Sequence, residues 1–170
     1  MLLHCLQALY NTIKNKSNIE IIIVNDNPTI DLSFIYKEYK NKFDIVILNM
    51  SENGGYSKAC NYGIEHSKYN DVILMDCDIV PQENWLEEML NTYKSIDNYG
   101  CVSANIIDMS SNTLFGYGFG ILGYDTIHYF QKRPINFCPT LDLDFPIISS
   151  GCMLMPKSLY LKVGKQNEIY

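Results

Sequence analysis

Three short apolar runs, rich in β-branched residues and separated by helix-like segments, constrain the fold of this 170-residue chain most strongly. They lie at Ile19–Val24, at Phe43–Leu48 and in the segment VILMDCD, which begins at Val72. Each run is too short for a helix, whereas the segments between them carry apolar residues at helical spacing. Strands that alternate with helices predict an α/β fold, with a mostly parallel sheet flanked by helices.

The helix-like segments are recognised by the spacing of their apolar residues and by their boundaries. The first covers residues 2–13, the second is Asp31–Lys42 with a capping Asp, and the third is SKACNYGIEHSKY from Ser57. A fourth, PQENWLEEMLNTYKS, is predicted to begin close to Pro81, since proline is favoured in the first turn of a helix.

The C-terminal third of the chain has a different residue composition. Cys101–Ile107 predicts a further strand, and the residues from 108 to 146 are rich in glycine and aromatic side chains, which favours hairpins and long loops. No repeat, low-complexity tract or linker divides the chain. With 47% hydrophobic residues, a single domain spanning residues 1–170 is expected.

Charge and cysteine usage exclude some classes of protein. A net charge of -6 argues against a nucleic-acid partner, because phosphate backbones are bound by clustered Lys and Arg. The 6 cysteines lie singly among apolar neighbours, which favours reduced thiols packed in the core over a disulfide set or a zinc site. No apolar run is long enough to span a bilayer, and the chain is interpreted as cytosolic.

The loops that follow the predicted strands carry polar and glycine residues. Asp26 follows the first strand, the segment Asn49–Gly55 follows the second, and Asp76 and Asp78 end the third. In open α/β sheets the ligand site lies outside the carboxyl ends of the parallel strands. These loops are therefore the predicted ligand-binding region.

Asp76 and Asp78 are spaced i and i+2, so in an extended segment both carboxylates would point the same way. Two adjacent carboxylates repel each other unless a cation lies nearby, and hard oxygen ligands suit Mg²⁺ or Mn²⁺ held together with substrate phosphate. The alternative is a pair of solvated acids at a strand end. Asp142 and Asp144 have the same spacing without a buried strand before them, which favours a solvated loop there.

Four segments in this order resemble the family-two glycosyltransferases of the GT-A fold. The segments are VNDNPTID, NGGYSKACNYG, VILMDCDIVPQENWL and SSGCMLMPKSLYLKVG. The likeness extends over Leu6–Glu168. It implies a Rossmann-like GT-A sheet, with a nucleotide-sugar-binding half at residues 1–107 and an acceptor-side region at residues 108–170.

The resemblance also implies roles for individual residues. Those matching the family's nucleotide-sugar-binding motifs are Asp26, Asn53, Gly54, Gly55, Asn61, Asp76 and Asp78, with Asp76 and Asp78 as the metal ligands. Ser150 and Gly151 match the segment beside the donor sugar and acceptor.

Each of these matches has a plainer interpretation. Asp26 could shape an Asx turn, the Gly54–Gly55 pair could serve a tight connection, and Asn61 could pack a helix. The Gly151 position could be a β-bulge, and Trp85 is expected in the core rather than under a sugar.

The implied reaction is metal-dependent, inverting transfer of a sugar from a nucleotide-diphospho-sugar to a glycan or lipid-linked acceptor, as in bacterial polysaccharide synthesis. A lipid-linked acceptor would be compatible with peripheral association of the protein with the inner face of the membrane.

The catalytic base of such a reaction is not assigned within this sequence. Compared with the family pattern, a first strand is expected before residue 1 and the acidic general base is expected beyond Tyr170, as in a member truncated at both ends. His128, Asp125 and Glu168 are weak substitutes for that base.

Two other functions remain open at this point. One is a non-catalytic nucleotide-sugar-binding or scaffold remnant without turnover of its own. The other is an unrelated phosphotransfer domain, which the lack of a GxxxxGK[ST] loop disfavours.

Overall fold

The computed structural model describes residues 1–97, 100–116, 118–122, 125–137 and 142–169. Helices and strands alternate over the first half of the chain, as the apolar periodicity predicts. The helices are α1 (Leu2–Thr12), α2 (Ser33–Tyr39), α3 (Gly55–His66), α4 (Trp85–Ser95) and α5 (Lys157–Lys162). The strands are β1 (Glu20–Asn25), β2 (Asp44–Asn49), β3 (Asp71–Met75), β4 (Val102–Ser103), β5 (Ile106–Asp108), β6 (Thr113–Gly116), β7 (Gly118–Leu122), β8 (Asp125–Tyr129) and β9 (Cys152–Pro156).

The chain forms two compact units that are not continuous in sequence. Unit 1 comprises residues 1–72, 80–83 and 155 onward, and unit 2 comprises Ile73–Ile79 and Asn84–Leu154. Each unit is described by itself below.

Unit 1 is built on the parallel pair β1–β2, which runs in register from Glu20 opposite Asp44 to Asn25 opposite Asn49. Helix α3 packs against β1 and α2 packs against β2. The parallel arrangement predicted for the first two strands is therefore confirmed. The buried core of this unit includes Leu6, Leu9, Ile13, Ile23, Ile35, Tyr39, Phe43, Ile45, Ile64 and Tyr160.

Unit 2 contains most of a sheet of order β3-β9-β4, in which β4 and β9 are antiparallel. Helix α4 covers this sheet through a buried cluster of Met89, Tyr93, Cys152 and Leu154. Two antiparallel hairpins, β5–β6 and β7–β8, follow in the glycine- and aromatic-rich segment. The predicted change from βα units to hairpins is confirmed.

Several predicted boundaries are wrong, among them the start of α2, where Leu32 and not Asp31 is the N-cap residue. The third strand ends at Met75, so Asp76 and Asp78 lie beyond it in a turn closed by the bond from the Ile79 N–H to the Asp76 carbonyl (3.1 Å). Helix α4 begins at Trp85 and not near Pro81, because Asn84 adopts a left-handed conformation (φ 62°) that helices exclude.

The predicted strand Cys101–Ile107 is also interrupted. It forms the separate strands β4 and β5, which pair with β9 and β6 respectively. A single apolar run contains no signal for such a change of partner, since pairing is decided by segments distant in sequence.

The cysteine prediction is confirmed only in part for the residues that the structure describes. Cys5, Cys60, Cys77, Cys101 and Cys152 form no disulfide with one another, and Cys5 and Cys152 are buried, but Cys77 and Cys101 are exposed and do not pack in the core. Cys138 lies outside the described residues. Among the described helices, none combines the length and the apolar composition required to cross a bilayer.

The turn after β5 provides a pH-dependent prediction. Ser110 donates both its hydroxyl and its backbone N–H to the Asp108 carboxylate, which lowers the pKa of Asp108 to about 2. Because the folded pKa lies below the unfolded value of 3.8, the turn is stabilised above that pH, and the stabilisation is lost as pH falls toward 2. NMR titration of the carboxyl carbon should show this low pKa in the folded chain. A midpoint at or above the unfolded value would contradict it.

Candidate functional site

In unit 1, the carboxyl ends of β1 and β2 are joined by two asparagines. The side chain of Asn25, which is 6% exposed, donates to the Asn49 side-chain oxygen and to the Ile30 carbonyl, both at 2.9 Å. The Asn25 carbonyl also accepts the Met50 N–H. Asn25 therefore fixes the start of the loops that follow both strands. Asn25 lies within the segment VNDNPTID, in which the family resemblance implies a role for Asp26 alone.

Asp26 lies next to this junction and holds the first residues of α3. Its two carboxylate oxygens accept the Gly54 N–H at 2.7 Å and the Gly55 N–H at 2.9 Å. Asn53 also accepts the Gly55 N–H, at 3.2 Å. Carboxylates are favoured at helix N-termini because the first N–H groups have no partner within the helix.

This arrangement brings four predicted residues of one unit together: Asp26, Asn53, Gly54 and Gly55. Gly55 has φ +78°, a left-handed conformation in which any other residue would be strained. The two N–H groups that could have bound a phosphate at this helix end are already bonded to Asp26. In this conformation the glycines therefore support the loop.

Lys58 is a residue near Asp26 that the sequence analysis did not single out. Its ammonium donates to Glu52 at 3.0 Å, and this bond raises the pKa of Lys58, with smaller contributions from the negative charges of Glu168 and Asp26. Lys58 lies on the first turn of α3. Its positive charge is therefore close to the carboxylates of Glu52, Glu168 and Asp26. The motif NGGYSKACNYG contains Lys58 but assigns it no role, and only folding brings Asp26 and Glu168 near it.

Asn61, which is 3% exposed, connects α3 to the C-terminal segment of unit 1. Its amide group donates to the Gln166 carbonyl at 2.9 Å and to the Glu168 carboxylate at 2.7 Å. Its oxygen accepts the Tyr160 hydroxyl at 2.5 Å and the Gln166 N–H at 3.1 Å. Both donors and both acceptor positions of the side chain are therefore used within the protein. This geometry favours the helix-packing interpretation of Asn61.

In unit 2, Asp76 and Asp78 lie in the turn that follows β3. Asp76 is half-buried, and Cys77 and Asp78 are exposed. Because this segment is a turn, the strand alternation used to predict that the two carboxylates share a face does not apply to it. The Asp76 N–H donates to the Gly151 carbonyl at 2.9 Å, which extends the pairing of β3 with β9 by one bond.

Gly151 is buried beside the Asp76 side chain. A Cβ atom at this position would lie 3.4 Å from an Asp76 carboxylate oxygen and 3.5 Å from the Ser149 hydroxyl oxygen. Only a residue without a side chain leaves the space around that carboxylate open. The structure thus brings Asp76 and Gly151 together, as two candidate residues of one unit.

A serine that the motif assigns no role also lies beside Gly151. The motif predicts Ser150 as a site residue, and the neighbouring Ser149 hydroxyl accepts the Gly151 N–H, at 3.3 Å. The Ser149 carbonyl in turn accepts the hydroxyl of Ser103, at 2.8 Å. Ser103 and Ser149 are therefore parts of the site that sequence reasoning missed, since Ser103 is distant in sequence and belongs to no motif.

The donor groups at the Asp76 turn suit a metal that is shared with a substrate. Within the described part of the chain, no group of three or more His, Cys, Asp or Glu residues is placed to hold a metal ion. Mg²⁺ characteristically takes one or two carboxylates and completes its coordination with water and phosphate oxygens. Two aspartates in one short turn fit that pattern and do not fit an all-protein metal cage.

Several secondary expectations can be compared with the structure. Trp85 packs against the buried cluster of unit 2, which confirms a core role. Asp142 and Asp144 are exposed, as predicted for a solvated loop, and Asp142 accepts the Thr92 hydroxyl. His128 packs edge-on against Phe119, with ring centroids 4.4 Å apart, which agrees with a packing role.

The general base of the implied reaction stays a prediction. No residue of the described part of the chain is assigned to this role. Of the weak substitutes, Glu168 accepts the Asn61 amide at 2.7 Å, and Asp125 is exposed at the start of β8. The bond of Glu168 to Asn61 gives this carboxylate a structural partner within unit 1.

A family model matches most of the chain, and a structural comparison supports its fold. The model for glycosyl transferase family 2 matches residues 1–164. A mannosyltransferase from Pyrobaculum calidifontis, solved in complex with GDP-Man and Mn²⁺, superposes with a TM-score of 0.66 over 99% of this chain and 44% of its own. At 13% identity, this likeness shows the α/β GT-A-like fold alone.

Curated relatives include further glycosyltransferases. An uncharacterised glycosyltransferase of Rickettsia typhi is 29% identical over 95% of this chain, which corresponds to 47% of that protein. Hyaluronan synthase of Pasteurella multocida is 37% identical over 39% of the chain and 7% of its own length. Poly-beta-1,6-N-acetyl-D-glucosamine synthase of Staphylococcus aureus is 26% identical over 57% of the chain and 24% of its own. The chain spans less than half the length of each of these relatives.

Proposed function

The chain belongs to glycosyl transferase family 2, and from this premise we propose that it binds a nucleotide-diphospho-sugar together with Mg²⁺ or Mn²⁺ and takes part in inverting transfer of the sugar. The proposed acceptor is a glycan or a lipid-linked saccharide. Peripheral association with the inner face of a membrane is part of the same proposal, since lipid-linked acceptors are found there.

The observation that carries the proposal is the turn after β3. It places Asp76 at a strand end, half-buried, with its N–H bonded to the Gly151 carbonyl and its carboxylate next to the empty Cβ position of the buried Gly151. Because Gly151 has no side chain, the space beside this carboxylate stays unfilled. The complex of the mannosyltransferase with GDP-Man and Mn²⁺ supports the choice of ligand class.

Each group of residues has a separate role in this proposal. Asp76 and Asp78 hold the metal, which would offset the negative charge of the departing nucleoside diphosphate. The loop of Asp26, Asn53, Gly54 and Gly55 contacts the nucleotide, with Asp26 on the base side. Ser150 and Gly151 lie on the acceptor side, in the region of residues 108–170.

Dependence of donor binding on a divalent metal is the expected result that tests this function. A diphosphate brought to two aspartates without a cation would be repelled, so binding should be strong with Mn²⁺ and lost when EDTA removes it. Calorimetric titration of UDP-, GDP- and dTDP-sugars into the protein, with Mn²⁺ and then with EDTA, measures this. Donor binding that is unchanged by chelation would refute the metal role of Asp76 and Asp78.

A further inference from the structure

Ser103, on strand β4, is linked to Asp76 by consecutive hydrogen bonds within unit 2. The Ser103 hydroxyl donates to the Ser149 carbonyl at 2.8 Å. The Ser149 hydroxyl accepts the Gly151 N–H at 3.3 Å, and the Gly151 carbonyl accepts the Asp76 N–H at 2.9 Å. The turn of Ser149 to Gly151 therefore lies between a β4 side chain and the backbone of Asp76.

The Ser149–Gly151 turn lies directly beside Asp76. The Cβ position at Gly151, which glycine leaves empty, lies 3.4 Å from an Asp76 oxygen and 3.6 Å from the Ile106 side chain. Because the Gly151 carbonyl also accepts the Asp76 N–H, a shift of the turn would move the Asp76 backbone and, with it, the carboxylate. Binding sites lose function when their groups move by more than about 0.5 Å, so whatever holds this turn also sets the ligand geometry.

The main-chain ladder of β4 does not hold Ser149 itself. The β4–β9 register joins Val102 to Leu154 and Ser103 to Met153, and the Ala104 N–H reaches the Cys152 carbonyl. Ser149 precedes all of these β9 residues. The Ser103 side chain thus extends the attachment of β4 to the turn by one bond beyond the ladder.

We infer that Ser103 is a positioning residue for Asp76, which through the Ser149–Gly151 turn keeps the Asp76 carboxylate in the geometry required by the metal-bound nucleotide diphosphate. The inference rests on the proposed function. Ser103 itself contacts no ligand. Its removal should weaken metal-dependent nucleotide binding without a comparable loss of folding.

The test compares Ser103→Ala with Ser67→Ala. The Ser67 hydroxyl also donates to a backbone carbonyl, that of Ile64 at 2.9 Å, but it lies at the end of α3 in unit 1. The probe is Mn²⁺ with UDP or GDP, whichever the unaltered chain binds more tightly. We expect Ser103→Ala to weaken binding about tenfold, as losses of supporting groups around metal ligands do, while Ser67→Ala leaves binding unchanged.

Further variants separate positioning from stability. Ser103→Thr keeps the hydroxyl and should restore binding to within about twofold of the unaltered chain, while Ser103→Cys keeps the volume with a weaker donor and should bind as poorly as Ser103→Ala. If Ser103→Ala does not fold, the cysteine variant decides. Without nucleotide, the Gly151 amide signal in NMR spectra should shift in Ser103→Ala and not in Ser67→Ala.

The outcomes distinguish this inference from the proposed function. If the unaltered chain shows no Mn²⁺-dependent nucleotide binding, the proposed function fails first. If it binds, but Ser103→Ala or, where that variant does not fold, Ser103→Cys binds equally well, the positioning role is refuted and the proposed function stands. If binding falls and the Gly151 signal does not move, Ser103 acts by another route and the inference is also overturned.

Discussion

Replacement of Asp78 by Asn is expected to weaken metal-dependent donor binding by on the order of 100-fold or more, since even supporting groups around metal ligands contribute 10–100-fold to affinity. The substitution removes the negative charge and keeps the size and the oxygen of the side chain. Asp78 is exposed, so the fold should tolerate the change. Titration with Mn²⁺ and the nucleotide-sugar measures the loss, and thermal unfolding checks that the fold is retained.

Asp144→Asn is the matched control for this experiment. Asp144 belongs to the second D-x-D, is exposed, and lies in a loop of unit 2. Its replacement removes the same charge from the same unit, and donor binding should remain within about twofold of the unaltered chain, because Asp144 lies outside the turn after β3 that is proposed to hold the metal. Equal losses in both variants would mean that net charge, and not the turn after β3, determines binding.

Replacement of Asn61 by Ala should destabilise the protein more than any other change considered so far. It would leave the Tyr160 hydroxyl, the Gln166 backbone and the Glu168 carboxylate without their partner. Buried polar groups that lose a partner each cost about 1–3 kcal/mol. Tyr160 is buried and Gln166 is half-buried, whereas Glu168 is exposed and can bond to water, so a total loss of roughly 2–4 kcal/mol is expected. For a chain of this size the thermal midpoint should fall by roughly 5–15 °C. Thermal and urea unfolding measure the effect.

Asn11→Ala serves as the control for Asn61→Ala. Asn11 also lies on a helix, but it is exposed, and its side chain only accepts a bond from Gln7. Its loss should change the free energy of unfolding by less than about 0.5 kcal/mol. The family resemblance implies that Asn61 binds nucleotide. If Asn61→Ala loses donor binding at an unchanged thermal midpoint, that role is correct and the packing role is wrong.

The spacing of apolar residues along the chain explains how much of the fold was predictable. Strands such as β1 and β2 are short and β-branched, and the helices between them bury one face, so their existence follows from local sequence alone. The predicted element boundaries were wrong where the backbone conformation of one residue sets the true boundary. Asn84 in the left-handed region stops α4 from extending toward Pro81, and no apolar pattern encodes that.

The candidate site was predictable in part for the same reason. Motifs identified Asp26, the Gly54–Gly55 pair and Gly151, because these residues occur at characteristic places after strands. They did not identify the partners of each side chain. Asp26 bonds the start of α3, 28 and 29 residues further along the chain. The pattern that suggested a nucleotide contact thus coincides with a helix-capping contact.

The sequence by itself determined the class of fold, the order of its main helices and strands, and the family to which the chain belongs. These follow from local periodicity and from ordered motifs. Only the tertiary structure decided that the hydrogen-bonding positions of Asn61 are occupied by residues more than 90 positions further along the chain. It also decided that Ser103 bonds to Ser149, 46 positions away, in the turn beside Asp76. The physical reason is that hydrogen-bond partners are chosen by proximity in space, and proximity between distant segments exists only after the chain has folded.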